Sequence, residues 1–196
     1  MIYNTSHFIW IWVKIEEVLP IFQCINTTLN TVQTIYSFHM RNPLSAHITL
    51  QYLPQVIEKN YIDKISKLFL YYSKKDIHIQ WYAIDFFLSK NTNKCYCYLK
   101  CWISNDILLL RNNLIWLQAF SEVMDNSLPF ISHITLCDIE FKEGFTEYDN
   151  LFKHLNTVTR DLIKNSNIAD NISLYIVDST MIPELQIPKI QYKLHE

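Results

Sequence analysis

The sequence predicts an α+β protein of two pseudo-symmetric lobes, each an antiparallel sheet flanked by helices, with a cleft between the lobes. The tetrapeptide His-Ile-Thr-Leu occurs at 47–50 and again at 133–136, which is 86 positions later in a chain of 196 residues. Strand-like and helix-like segments surround both copies in the same order. No linker, low-complexity tract or charge block divides the chain. We therefore expect a single domain, 1–196, with lobes at approximately 1–90 and 91–196.

Hydrophobic periodicity gives the elements of the first half. It predicts strands at 8–15 and 76–88 and the first motif strand at 46–53. It also predicts a helix across roughly 16–36 and another at about 55–72. Apolar residues recur at helical spacing in the second helix, at Val56, Ile57, Ile62, Ile65, Leu68 and Phe69.

The second half repeats this pattern. A strand at 94–103 is followed by a helix near 105–124, which Ser104 or Asn105 caps at its N-terminus. The same periodicity predicts the second motif strand at 131–140, a helix at about 147–165 and a strand at 172–178. Both halves thus have the order strand, helix, motif strand, helix, strand. This order indicates an internal duplication, and a pseudo-twofold axis would place the two motif strands face to face.

Composition excludes several classes of function. With 49% hydrophobic and 18% charged residues the chain can bury a substantial core. Its net charge of −2 argues against a protein that binds long duplex nucleic acid, but suits a small substrate with one or two phosphates. Gly144 is the single glycine. Glycine-rich phosphate loops, dinucleotide fingerprints and nucleophile elbows are therefore excluded.

The apolar run near the N-terminus and the cysteines bear on location. The run Phe8–Val13 is too short for a signal-peptide core or a membrane span. Five cysteines fit a reducing compartment. We expect a cytoplasmic monomer that does not contact membranes.

The strand at 94–103 carries three of these cysteines. Strand alternation puts Cys95, Cys97 and Cys101 on one face of it. The other face then carries Tyr96, Tyr98, Lys100 and Trp102. A zinc site is the alternative interpretation of the cysteines, but no Cys-x-x-Cys pair is present, and buried cysteines pack well as small hydrophobic residues.

The repeated tetrapeptide carries the candidate chemistry. In a strand, His47 and Thr49 project to one face, and His133 and Thr135 do the same in the second copy. If the copies face each other, one imidazole can accept a proton and the other can donate one, while the hydroxyls hold phosphoryl oxygens. This reaction suits a phosphodiester and requires no metal or cofactor. Sequence does not assign base and acid between the two histidines.

Two His-x-Thr motifs separated by about half the chain resemble the 2H phosphoesterase superfamily, which includes LigT-like RNA 2′,3′-cyclic phosphodiesterases and viral 2′,5′-phosphodiesterases. The strand at 8–15, the following helix and the closing strand near 171–179 resemble the LigT-like layout. One departure is Tyr52-Leu53-Pro54, where LigT-like bacterial enzymes usually have Phe-Leu-Gly. The resemblance implies a bilobal 2H fold and catalysis by the two histidines and two threonines.

The resemblance also implies a substrate. Abundant Ile, Asn, Lys and Tyr are typical of large DNA viruses among other sources, and the viral members imply cleavage of a 2′,5′ bond in 2′,3′-cyclic GMP–AMP, which counters host innate immune signalling in the host cytosol. The alternatives are 2′,5′-oligoadenylate, an RNA 2′,3′-cyclic phosphate, or a non-catalytic module that binds a nucleotide or RNA end. Nucleobases stack on aromatic rings. We expect Tyr52 and Phe145 to serve this purpose.

Overall fold

The computed structural model describes residues 7–31, 36–53, 59–75, 77–89, 93–118, 130–142, 148–165, 173–178 and 190–193. The strands are β1 (His7–Trp12), β2 (Tyr36–Met40), β3 (His47–Leu53), β4 (Ile79–Leu88), β5 (Lys94–Ile103), β6 (His133–Phe141), β7 (Ser173–Asp178) and β8 (Ile190–Lys193). The helices are α1 (Ile15–Thr31), α2 (Lys59–Tyr72), α3 (Asn105–Gln118) and α4 (Tyr148–Lys164), with a short 3₁₀ turn at Pro43–Ser45. The α+β prediction is confirmed.

Two antiparallel sheets organise the described strands. The first sheet has the order β3-β1-β7-β8 and the second has the order β2-β6-β5-β4. The trio β3-β1-β7 therefore corresponds to β6-β5-β4. Strands β2 and β4 of the first half lie in the sheet of β5 and β6. Strands β7 and β8 of the second half lie in the sheet of β1 and β3. The expected division of the lobes near residue 90 does not describe the sheets, because each sheet takes strands from both halves.

The helices flank the sheets in two layers. Helix α4 packs on β4 and on α1, while α2 packs on α3, which contacts β3. Buried residues recur at three- and four-residue spacing along α4, at Leu151, Phe152, Leu155, Thr159 and Ile163. Asp149 in its first turn and Lys164 in its last turn have the signs that suit the helix dipole. None of the described helices is long and apolar enough to cross a membrane.

The fold differs from the sequence prediction in two strands. The helix predicted through residue 36 ends at Thr31, and Tyr36 begins β2, which pairs with β6. The Tyr36 hydroxyl donates a hydrogen bond to the Leu29 carbonyl at 3.0 Å, which ties the start of β2 back to α1. Strand β8 was not predicted either. Within the predicted elements, positions 32–35, 55–58, 76, 119–124, 147 and 172 lie outside the described residues.

Strand β4 forms an edge of the second sheet, and α4 covers it. The Asn156 amide nitrogen donates to the Ile84 carbonyl at 2.7 Å, and its carbonyl oxygen accepts from the Ile84 amide at 2.8 Å. The side chain thus makes the two bonds that a neighbouring strand would make. This pairing leaves less of the edge open to another chain.

Candidate active site

The two motif strands have the same pattern of burial. His47, Thr49, His133 and Thr135 are half-buried. The isoleucine and leucine of each copy are at most 2% exposed. The predicted alternation is therefore present in both copies, and each histidine shares a face with its threonine.

The pairing of the motif strands is also repeated. The register of β3 on β1 shifts between Ile9 and Trp10, and the register of β6 on β5 shifts between Cys97 and Tyr98. In both cases the motif leucine is the residue without a cross-strand partner. Such a bulge resets the alternation of the strand. After the leucine, the face of the histidine is therefore reached one position later than in a regular strand, at Tyr52 and not at Gln51 in β3.

The structure brings the two histidines together. Cα atoms of β3 and β6 approach within 8 Å, although the strands belong to different sheets. The Nδ1 atom of His47 lies 2.7 Å from the Ser45 carbonyl oxygen, and the Nδ1 atom of His133 lies 2.7 Å from the Ile131 carbonyl oxygen. A carbonyl only accepts, so each neutral ring carries its hydrogen on Nδ1. The lone pair then belongs to Nε2 in both rings.

The surroundings of His47 favour its neutral form. Its ring stacks on Trp10, with 3.6 Å between centroids and 14° between planes. Burial lowers its pKa from 6.5 to about 4; the bond to Ser45 opposes this shift, and positive charge on His133 and Arg41 adds to it. At neutral pH the ring is therefore a proton acceptor.

His133 lies in a different aromatic setting. Its ring contacts Tyr98 and Phe87 in T-shaped geometry. The centroid distance is 5.1 Å to Tyr98, with 64° between planes, and 5.2 Å to Phe87, with 76° between planes. Burial lowers its pKa from 6.5, and the Ile131 carbonyl opposes the shift. The two sites thus share backbone geometry but differ in the rings and charges around the imidazole.

Arg41 brings a positive charge to the His47 side. It follows β2, and its guanidinium makes two hydrogen bonds to Asp138, at 3.1 Å from Nε and 2.8 Å from Nη2. Its amide donates to the Leu136 carbonyl at 2.9 Å, which fixes the backbone beside the second motif. The Arg41 side chain is 44% exposed, so a ligand can still reach it.

Lys100 brings a positive charge to the His133 side. It pairs with His133 across β5 and β6, and its Nζ lies 2.7 Å from Asp85 Oδ2. The hydrogen bond to Asp85 raises the pKa of Lys100, which keeps it charged. Burial opposes ionisation of Asp85, but hydrogen bonds from Lys100, the Phe86 amide and the Tyr98 hydroxyl hold its pKa below the usual value.

The expected base-stacking residues have different outcomes. Tyr52 pairs with Phe8 in the register of β3 and β1, beyond the bulge, so it lies on the face of His47 and Thr49. Its side chain is 45% exposed. Phe145 lies outside the described residues.

The cysteines pack inside the protein. Cys95, Cys97, Cys101 and Cys137 are buried free thiols. Burial raises the pKa of Cys95 to about 12. In the described ranges, no group of three or more His, Cys, Asp or Glu residues could hold a metal ion. These cysteines therefore give no support to the zinc interpretation.

A separate open cavity of about 560 Å³ lies between β4 and α4. Its lining includes Asp85 and Arg160 but neither histidine. The cavity is therefore distinct from the two histidines, which are the candidate groups for acid–base chemistry.

Sequence reasoning missed several neighbours of the histidines. Trp10 and Phe87 were not singled out, and Arg41 was hidden because β2 was not predicted. Tyr98 and Lys100 were placed on the correct strand face, but not beside His133. The register of β5 on β6, which a single sequence does not give, is the signal that would have found them.

No protein-family model matches the sequence, and no curated protein is significantly similar to it. Among solved structures, TT0787 of Thermus thermophilus superposes with a TM-score of 0.64 at 12% identity, over 96% of this chain and 97% of the other. LigT of E. coli complexed with 3′-AMP gives a TM-score of 0.58 at 15% identity, over 96% and 97% of the two chains.

A third structure, described as a phosphoesterase, gives a TM-score of 0.57 at 16% identity over 98% of this chain and 99% of the other. The chain has the bilobal 2H phosphoesterase fold. The match extends over nearly all of the chain in each case, so the 2H fold accounts for both sheets and not for one motif strand alone.

Proposed function

We propose that this protein is a metal-independent 2H phosphodiesterase that acts on a small nucleotide. One observation carries the proposal: His47 and His133 begin two facing strands, and in each ring Nδ1 is held by the carbonyl two residues earlier. Both rings therefore use Nε2 for proton transfer. Two such imidazoles form an acid–base pair when one is neutral and the other is protonated. The phosphoesterase fold supports this chemistry.

His47 is the base and His133 the acid in this mechanism. Nε2 of His47 takes the proton of the attacking hydroxyl, whose oxygen then bonds to phosphorus. The bond from phosphorus to the leaving oxygen breaks, and that oxygen takes the proton from Nε2 of His133. His47 ends protonated and His133 neutral. The assignment follows from the burial of His47 and from Arg41, which both oppose a positive charge on the ring.

The other polar groups would stabilise the phosphoryl charge. Thr49 and Thr135 share the faces of the two histidines, which supports a role for their hydroxyls in holding the non-bridging oxygens. Arg41 and Lys100 place one positive charge on each side of the pair. Asp138 holds the Arg41 side chain in place, and Asp85 holds Lys100. The two positive charges therefore need little reorganisation when the substrate reacts.

We further propose that the substrate is 2′,3′-cyclic GMP–AMP, cleaved at its 2′,5′ bond in the cytosol of an infected host by a single-domain monomer. A hydroxyl beside that bond is already positioned to attack, which suits acid–base catalysis without a metal. The LigT structures complexed with 3′-AMP and with ATP support a small nucleotide ligand. Tyr52 and Phe145 are proposed base contacts.

A second candidate is an RNA-end 2′,3′-cyclic phosphodiesterase. The complex of LigT with 3′-AMP favours it, because the phosphate there is on a ribose hydroxyl of a mononucleotide. The same two histidines would serve, with water as the attacking group. The substrates, not the residues, separate these two functions.

The test is a product survey in the presence of chelator. The substrates are 2′,3′-cyclic GMP–AMP, its 3′,3′ isomer, 2′,5′-oligoadenylate and a 2′,3′-cyclic mononucleotide. We expect turnover of the 2′,5′-linked dinucleotide, with slower cleavage of the 3′,3′ isomer. Exclusive turnover of the cyclic mononucleotide would establish the second candidate, whereas saturable binding without any product would indicate a non-catalytic module.

A further inference from the structure

An exposed aromatic pair lies on the same sheet face as His133. Strand alternation along β5 puts Lys100 and Trp102 on one face, and the cross-strand partner of Lys100 is His133. Trp102 is 65% exposed, and Tyr82 on β4 is 45% exposed. Their ring centroids lie 5.4 Å apart with 45° between planes. Large rings left this open to solvent on a sheet face next to an active site are candidates for ligand contact.

Lys100 connects this pair to the catalytic histidine. Its Nζ lies 5.9 Å from the centroid of the Tyr82 ring, while Asp85 fixes the same ammonium group from the other side. Trp102 is two residues farther along β5, which is about 7 Å. At this spacing, a nucleoside whose phosphate lies at His133 can reach Trp102 with its base, and Lys100 then lies between the ring and the phosphate.

The remaining aromatic neighbours of His133 are unsuitable for the same purpose. Phe87 and Tyr98 stack on each other at 4.2 Å and 18°. Tyr98 is 3% exposed, so its ring has no open face for a base. Tyr96 on the same face is 39% exposed, but Trp102 and Tyr82 are the exposed rings that lie together beside Lys100.

We propose that Trp102, Tyr82 and Lys100 form a stacking site for the base of the leaving nucleoside. This inference rests on the proposed function, because His133 is the group that protonates the leaving oxygen. It specifies the substrate class as a phosphodiester with a nucleoside on its leaving side, such as a dinucleotide. A cyclic mononucleotide has no second nucleoside that could occupy this site while the first is bound at the phosphate.

Kinetics on two matched substrates test the proposal. One is a dinucleotide monophosphate, and the other is the same nucleotide with methanol in place of the leaving nucleoside. Trp102→Ala should raise KM for the dinucleotide by about five- to a hundredfold, the range for one stacked base, and leave kcat/KM for the methyl ester unchanged. Trp102→Phe should restore most of the loss, since it keeps a ring.

Trp116→Ala is the control, because Trp116 on α3 is 72% exposed. It should alter neither substrate. Equal effects of Trp102→Ala and Trp116→Ala on the dinucleotide, or equal losses by Trp102→Ala on both substrates, would overturn the stacking site.

A binding measurement separates this inference from the proposed function. The probe is a 2′,5′-linked dinucleotide with 2-aminopurine as its leaving-side base, bound to the His47→Ala protein, which cannot turn it over. We expect quenching of the probe fluorescence and a Kd at least about fivefold weaker once Trp102→Ala is added. If the protein with His47 intact cleaves no phosphodiester but the Kd still depends on Trp102, the catalytic proposal is refuted and the stacking site is kept. A Kd independent of Trp102 would refute the stacking site alone.

Discussion

His47 and His133 occupy equivalent positions in the two halves of the molecule, yet their neighbours differ. Both follow a carbonyl that holds Nδ1, and both precede a bulge at the motif leucine. His47 stacks face to face on Trp10, with Arg41 close by, whereas His133 meets two rings at steep angles. The repeated motif thus has the same backbone geometry at both histidines. The residues from neighbouring strands give the two imidazoles different electrostatic environments and, we propose, different roles.

Removing either histidine should have the largest effect. We expect His47→Ala and His133→Ala each to lower kcat by at least about a hundredfold, because each loses one arm of acid–base catalysis. The double variant should be little worse than either single one, since groups that act as a unit are not additive. His154→Ala is the matched control, because that histidine is exposed on α4. Near-full activity in one single variant would show that the two sites do not act together.

The threonines should follow. Thr49→Val and Thr135→Val keep shape but lose a hydroxyl, and we expect each to reduce kcat by roughly ten- to a hundredfold with a small change in KM. Thr157→Val is the control, since its hydroxyl only bonds back to Lys153 on the surface of α4. If both motif variants behave like Thr157→Val, the threonines serve strand formation and not the phosphate.

Much of the arrangement of strands and helices around the two histidines could be predicted from the sequence. Period-two alternation placed His and Thr of both copies on polar faces, and helical spacing located α2 and α4. Strand β2 was missed because its pairing partner, β6, is about a hundred residues away, and local propensity does not contain that contact. The exchange of β4 and β7 between sheets is a long-range choice of the same kind.

The differences between the two sites could not be predicted for a related reason. Arg41 reaches the site through β2, and Trp10 and Tyr98 meet their histidines through registers that are shifted by a bulge. A bulge is a property of two paired strands and leaves no mark in one of them. The duplication was therefore visible in the sequence, whereas the asymmetry was not.

The pH dependence of kcat/KM should report this asymmetry. His47 must be neutral, so the rate rises with pH through a pKa of about 4; His133 must be protonated, so the rate falls above its pKa, which lies below 6.5. Burial of both rings shifts both limbs of the profile downward from the ordinary imidazole pKa of about 6.5. We expect a maximum on the acid side of pH 6.5 in the presence of chelator. A maximum above pH 7 would contradict these shifts.

Replacing Arg41 should have the smallest effect. Arg41→Gln removes a positive charge that disfavours protonated His47, so the pKa of His47 should rise and the acid limb should move to higher pH. Because the guanidinium is partly exposed, we expect a loss of only about five- to tenfold in kcat/KM. Lys153→Gln, at an exposed position of α4, is the control. An unmoved limb would show that Arg41 does not act on His47.

The central claim, that His47 is the base and His133 the acid, is tested most directly by changing the leaving group. p-Nitrophenolate departs without a proton, so a nucleotide p-nitrophenyl ester does not need the acid. Kinetics of both alanine variants on this ester and on a dinucleotide give the answer. We predict that His133→Ala recovers most of its lost rate on the ester while His47→Ala remains impaired by at least about a hundredfold on both substrates. Recovery by His47→Ala instead, or equal losses of both variants on both substrates, would contradict the assignment.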